Sequence, residues 1–215
     1  RKVMLKELFD LIKENAAGPV INNPQVPNEQ NDAVVAEATN TVASGLRNMV
    51  AGGGLQSILS LFNNSEQGGQ NNIQSLLSNP IVNMMIGHFT GKLTNKYNIG
   101  SNEASSVANN LIPSVISNLI NKTNDPGNST FSIENLLNSI TGGQSEQVVQ
   151  EQQQSGNTGF NLQDIISQFS GNSQNGGGSG GGLMDIVSKL AGGAQAQQQK
   201  NGGGGLMDLI QGFIK

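Results

Sequence analysis

The chain has 215 residues, of which 35% are apolar. That suffices for one modest core of roughly 130 to 150 residues plus a tail, and not for a second core of equal quality. Only 12% of the residues are charged, about half the usual share, so solubility rests on amides, hydroxyls and 29 glycines. A net charge of -4, with 11 Lys plus Arg spread along the chain, leaves no electrostatic footprint for phosphate and makes nucleic acid a poor partner. The lack of Cys removes disulfides, thiolate chemistry and Cys-based metal sites without fixing the compartment.

The chain begins "RKVMLKELFDLIKE", where Lys6, Glu7, Asp10 and Lys13 interrupt the apolar positions. This predicts an amphipathic helix rather than a secretory leader. Met4 fits a natural start, with residues 1–3 as a processing remnant. The expected location is cytoplasmic, with an extracellular or cell-surface location as the alternative if an upstream segment was removed. No run reaches the ~20 apolar residues of a membrane span.

Apolar residues then recur at offsets of three, four and seven in short cassettes, the stripe by which a helix buries one face. The first is Leu5, Leu8, Phe9 and Ile12. The second is Leu55, Ile58, Leu59 and Phe62, and Ile73 with Leu76 and Leu77 is a partial copy stopped by Pro80. Ile133, Leu136, Leu137 and Ile140 follow. Longer stripes lie between: Val35, Ala38, Val42, Leu46 and Met49; then Val82, Met85, Ile86, Phe89 and Leu93; then Ala104 through Ile120. Ser101 is the expected N-cap of the last of these, with Glu103 in its first turn. Pro113 is expected to kink that helix or split it near Ile112. No stretch shows strand alternation, so the predicted fold class is all-α: a compact bundle of short and medium helices followed by a Gly/Gln-rich tail carrying short amphipathic helices.

Composition sets the domain limits. Residues 1–142 form the helical domain, 143–159 a polar Gln/Ser/Gly linker, and 160–215 a tail of three cassettes on glycine-rich spacers. The tail cassettes are Leu162, Ile165, Ile166 and Phe169; Leu183, Ile186, Val187 and Leu190; and Leu206, Leu209, Ile210 and Phe213. Asp164, Asp185 and Asp208, like Glu7, sit in the first turn of their cassettes, where a carboxylate meets the positive end of the helix dipole.

The segments "MLKELFDLIKEN", "INNPQVPNEQNDAV" and "GHFTGKLTNKYNIGSNEASSVANNLIPSVISNLINKTNDP" resemble the bacterial DUF937 (YidB-like) family, in the Bacteroidetes form that ends in glycine-rich "GGGLMD" segments. The resemblance runs from about residue 4 to the C-terminus. Its most specific part is a helix, a turn at Asn98 to Ser101, and a helix bearing "LIP" at Leu111 to Pro113. It implies a small all-helical bacterial protein with no catalytic residues to carry over.

The residues offer little for catalysis. His88 is the single histidine, with no acid at helical spacing, so it reads as a packed or surface residue and not as part of a triad or a multi-His metal site. The glycine tracts lack the Lys-Ser/Thr of a phosphate loop and follow no strand. Met84, Met85, Met184 and Met207 read as core filler, an adaptable recognition surface being the alternative. "TNDPGNST" reads as a turn, since one Asp is too few for calcium. Catalytic, cofactor-binding and metal-binding residues are therefore all expected to be none, and no cofactor is implied.

One cassette buries about four apolar side chains, ~6 to 12 kcal/mol gross, against ~1 to 2 kcal/mol per ordered residue. The two terms nearly cancel, so a tail cassette needs a prepared socket. Docking on other copies of the chain would join subunits into a filament or lattice. Docking on its own domain would give a monomeric or small-oligomeric interaction module. A membrane surface is disfavoured, because the cassettes carry Asp164, Asp185 and Asp208 and few lysines. The expected function is a non-enzymatic, self-assembling structural protein whose partners are other copies of itself, with the twelve tail residues above as assembly contacts. The interaction module is the alternative.

Overall fold

A computed structural model describes residues 2–63, 73–125, 127, 131–141, 150, 154, 180–200 and 210. Among them there is no strand, and eight α-helices make up an all-helical fold. In chain order these are α1 (Lys2–Asn15), α2 (Asn31–Ala51), α3 (Leu55–Asn63), α4 (Ile73–Leu77), α5 (Pro80–Lys96), α6 (Ser101–Thr123), α7 (Ile133–Ile140) and α8 (Gly180–Lys200). A π turn at Ala17–Ile21 and a 3-10 turn at Asn28–Gln30 connect α1 to α2.

The apolar stripes become the core as their spacing dictates. Leu5, Leu8, Phe9 and Ile12 of α1 are buried, as are Leu55, Ile58, Leu59 and Phe62 of α3 and Leu136, Leu137 and Ile140 of α7. Val82, Met85, Ile86, Phe89 and Leu93 of α5 are buried, and the packing of α5 on α6 is the most extensive helix contact among the described residues. Local chemistry sets several ends. Asn79 caps α5, its Oδ1 accepting from the Ile81 amide at 2.9 Å, with Pro80 at the first helical position. Ser132 caps α7 in the same way, accepting from the Asn135 amide at 3.1 Å. Between α5 and α6, Asn98 takes a left-handed φ of 55° and the buried Ile99 donates its amide to the Leu93 carbonyl at 3.1 Å, reversing the chain.

At Pro113, expected to kink or split α6, the helix runs on unbroken from Ser101 to Thr123, which excludes the split. A proline at this position leaves the carbonyl four residues earlier without an amide partner; that residue, Asn109, is exposed, so water can serve its carbonyl, while Pro113 itself is buried. The cap is Gly100 rather than Ser101, which is the first helical residue and makes no capping bond. Glu103 is instead held by the Asn23 amide, tying the start of α6 to the α1–α2 connection.

The central element is α2. Every residue from Val34 to Ala43 is buried, and α1, α5 and α8 all pack along it. The third of these helices departs from the sequence-based expectation. Residues 191–200, "AGGAQAQQQK", were expected as spacer and are helical, continuous with the cassette that precedes them. Leu190 and Ala194 of α8, and Ile210, belong to the same buried cluster as the helices before residue 142.

Candidate functional site

The arrangement of interest is the extensive contact between α2 and α8, which a buried row of α2 residues runs into at Ala51. Ala36, Asn40, Ala43, Arg47 and Ala51 recur at three- and four-residue spacing and so share one side of α2, and all five are buried. The Gln195 side chain of α8 donates to the carbonyl of Ala51 at 3.0 Å. That carbonyl belongs to the last turn of α2, where main-chain acceptors have no intrahelical donor. The α8 surface opposite is small and apolar: Leu190, Gly193 and Ala194 are buried and Val187 is half-buried. Small residues on both helices allow close approach. Where the helices part, a cavity of about 400 Å³ is lined by Asn48, Ala51, Gly52, Gln195 and Gln199, amide-rich and suited to water or a further polar chain.

Arg47 is the anomaly of this face. It is 1% exposed, and among the described residues its Nε and Nη1 have no hydrogen-bond acceptor. Burial alone pulls its pKa below the usual guanidinium value. Burying a cation with two of its nitrogens unsatisfied is costly, and nothing in its residue type or position announces that environment.

A satisfied polar cluster joins α2 to the end of α5. Glu37, 1% exposed, accepts from Lys96 Nζ at 3.1 Å and from the Tyr97 hydroxyl at 3.4 Å, and that hydroxyl also lies 3.1 Å from the Ala33 carbonyl. Desolvation works to lower the Lys96 pKa, but the hydrogen bond and charge of Glu37, aided by Tyr97, outweigh it and leave the pKa raised. Tyr97 is raised chiefly by burial and then by the Glu37 charge. Every member is tied to structure: the cluster fastens the end of α5 to α2 and leaves no group free for a reaction.

Next to it, α2 and α5 enclose a cavity of about 140 Å³ lined by Thr41, Ser44, Gly45, Asn48, Met84, Met85 and His88. His88 is exposed and Met84 is 52% exposed, while Met85 is buried. Among the described residues no group of three His, Asp or Glu side chains is placed to hold a metal ion, and no described helix is long and apolar enough to cross a membrane.

No family model, curated protein or solved structure matches the chain.

Of the twelve tail residues singled out by sequence, Leu190 and Ile210 are fully buried within the same chain and Val187 is half-buried. Leu183 and Ile186 are in the α8 backbone, but their side chains lie outside the described residues. Leu162, Ile165, Ile166, Phe169, Leu206, Leu209 and Phe213 lie outside them altogether. The receiving face was missed because it carries Ala, Asn and Arg where an apolar stripe would normally mark a contact.

Proposed function

We propose that this protein is a non-enzymatic helical interaction module whose α2 face accepts short apolar helices, the occupant in the isolated chain being its own tail helix α8. One observation carries the reading: Leu190 and Ala194, some forty residues or more beyond α7, are fully buried against a helix that the first 142 residues supply. The energetic deficit of a lone cassette makes such a socket necessary. The tail needs α2, and α2 needs a cover for its small-residue face.

Assembly of copies through the same contact is the second reading, favoured by the recurrence of the stripe at Leu162, Leu183 and Leu206. Cassettes on one chain that share a pattern can occupy the α2 face of a neighbour, giving a heterologous and extensible contact. The DUF937-like resemblance is compatible with either form and assigns neither.

The test is Leu190→Asp in the full-length chain, which places a carboxylate in the contact. Release of α8 predicts faster amide exchange along α2 while α5 and α6 keep their protection. Unchanged exchange in α2 would refute the docking role. Sedimentation of the unmodified chain over a wide concentration range separates the two readings: a constant coefficient supports the module, and a rising one that Leu190→Asp abolishes supports assembly.

A further inference from the structure

We propose that Met84, Met85 and His88 form a binding site for a soft monovalent metal ion, Cu(I) or its analogue Ag(I), at the mouth of the cavity between α2 and α5. All three line the same space of about 140 Å³, large enough for a metal ion with its first ligands. The placement follows from helix geometry. At about 100° per residue, His88 falls angularly between Met84 and Met85 and one turn further on, so the three side chains occupy the corners of a small triangle. His88 stands at i+4 from Met84 and i+3 from Met85, spacings at which Cβ atoms lie about 5 to 6 Å apart and side chains meet.

The donor set selects the class of ion. Two thioethers and one imidazole are neutral ligands, and thioether sulfur favours soft cations. The cavity lining contains no carboxylate, which disfavours calcium and magnesium, and the chain has no cysteine to build a zinc site. A single positive charge on neutral donors is also the least costly metal charge to hold beside a half-buried wall. The remaining lining groups Thr41, Ser44 and Asn48 are neutral and polar, and can carry ordered water around the ion.

Two further features fit. Met84 is the large apolar side chain left exposed among the described residues, at 52%, and it stands beside the single histidine. Across the groove, Gly45 gives Met85 its room: a Cβ at that position would come within 2.8 Å of the Met85 methyl and 3.0 Å of its Cγ. A side chain there would force Met85 out of its present position.

The experiment uses the full-length protein, labelled at its methionine methyls and histidine ring, and titrates it with silver nitrate in chloride-free buffer under magnetic resonance. The Met84 and Met85 methyls and the His88 ring should shift together and saturate at one equivalent, with the other four methionines unmoved. Competition for Cu(I) against a chromogenic chelator should show at least tenfold weaker binding in His88→Ala. It should show severalfold weaker binding in Met84→Leu, a volume-conserving change at an exposed position whose circular dichroism should match the unmodified protein. Gly45→Ala should weaken binding in the same direction. The proposal is overturned if Ag(I) leaves the Met84 and Met85 methyls in place, if all methionines shift alike, or if His88→Ala and Met84→Leu retain full affinity.

Discussion

The two sides of α2 are built from different material. Toward α1 and α5 it presents Val34, Val35, Ala38, Val42 and Leu46, with polar contacts that are paired: Asp32 with Lys13 at 2.9 Å and Glu37 with Lys96 and Tyr97. α8 meets it at Ala51, whose carbonyl accepts from Gln195, and beside Asn48 and Gly52; the buried row Ala36, Asn40, Ala43 and Arg47 leads up to that point and holds two guanidinium nitrogens without an acceptor among the described residues. The first side is a committed core, in which large side chains fill the space between helices. The second is lined by small and amide side chains, although α8 packs along α2 at least as extensively as α1 or α5 does. An exchangeable tail, as proposed, requires that this contact open without unfolding the rest.

If the two sides differ in this way, truncations on them differ in kind. Leu93→Ala, in the buried core of α5, is expected to cost about 3 to 5 kcal/mol and to lower global stability in denaturant melts. Leu190→Ala removes a comparable amount of buried surface, but its effect is capped by the free energy of docking α8. We expect about 2 kcal/mol or less in the global melt, with the loss read chiefly as faster exchange in α2. Equal global costs for the two variants would dissolve the distinction.

Arg47 sharpens it further. Replacing a partly unsatisfied buried cation by an apolar side chain of similar length removes a desolvation penalty, and buried charges exchanged for hydrophobic residues have gained roughly 1 to 4 kcal/mol. Arg47→Met is therefore expected to raise the melting temperature, with an effect of about 1 kcal/mol, since two guanidinium nitrogens lack an acceptor among the described residues. A fall in stability would mean that the guanidinium has an acceptor beyond the described residues.

The committed side was legible in the sequence because it is written in large apolar residues at helical spacing: Leu8, Leu46, Phe89 and Leu111 announce their burial by type and register. The exchangeable side was not. Gly192 and Gly193 read as a break, although Ala, Gln and Lys in residues 194–200 are good helix formers, and contact with α2 supplies what the glycines lack. Ala36 and Ala43 carry too little surface to mark a face, and Arg47 looks like a surface cation. His88 and Met84 were visible individually; only the fold of α5 against α2 brings them to one cavity with Thr41 and Ser44.

The smallest expected effect concerns the paired polar cluster. Lys96 and Tyr97 both have folded pKa values raised above their ordinary ones, 10.5 and 10.0. In each case the folded state holds its proton more tightly than the unfolded chain. Their stabilisation is thus fully present below about pH 10 and is lost as pH rises through the folded values, because the unfolded state then binds fewer protons. The Lys96 side chain is 48% exposed, so screening limits the term to below about 1 kcal/mol. Chemical melts between pH 9 and about 11.5 should show a decline that is shallower in Tyr97→Phe, which cannot ionise, and in Lys96→Met. Amide exchange across α8 should follow the same pH course in Tyr97→Phe as in the unmodified chain, since the hydrogen bonds of the cluster run between α2 and the end of α5. A matching change in α8 would show that the two sides open as one unit and would end the comparison between them.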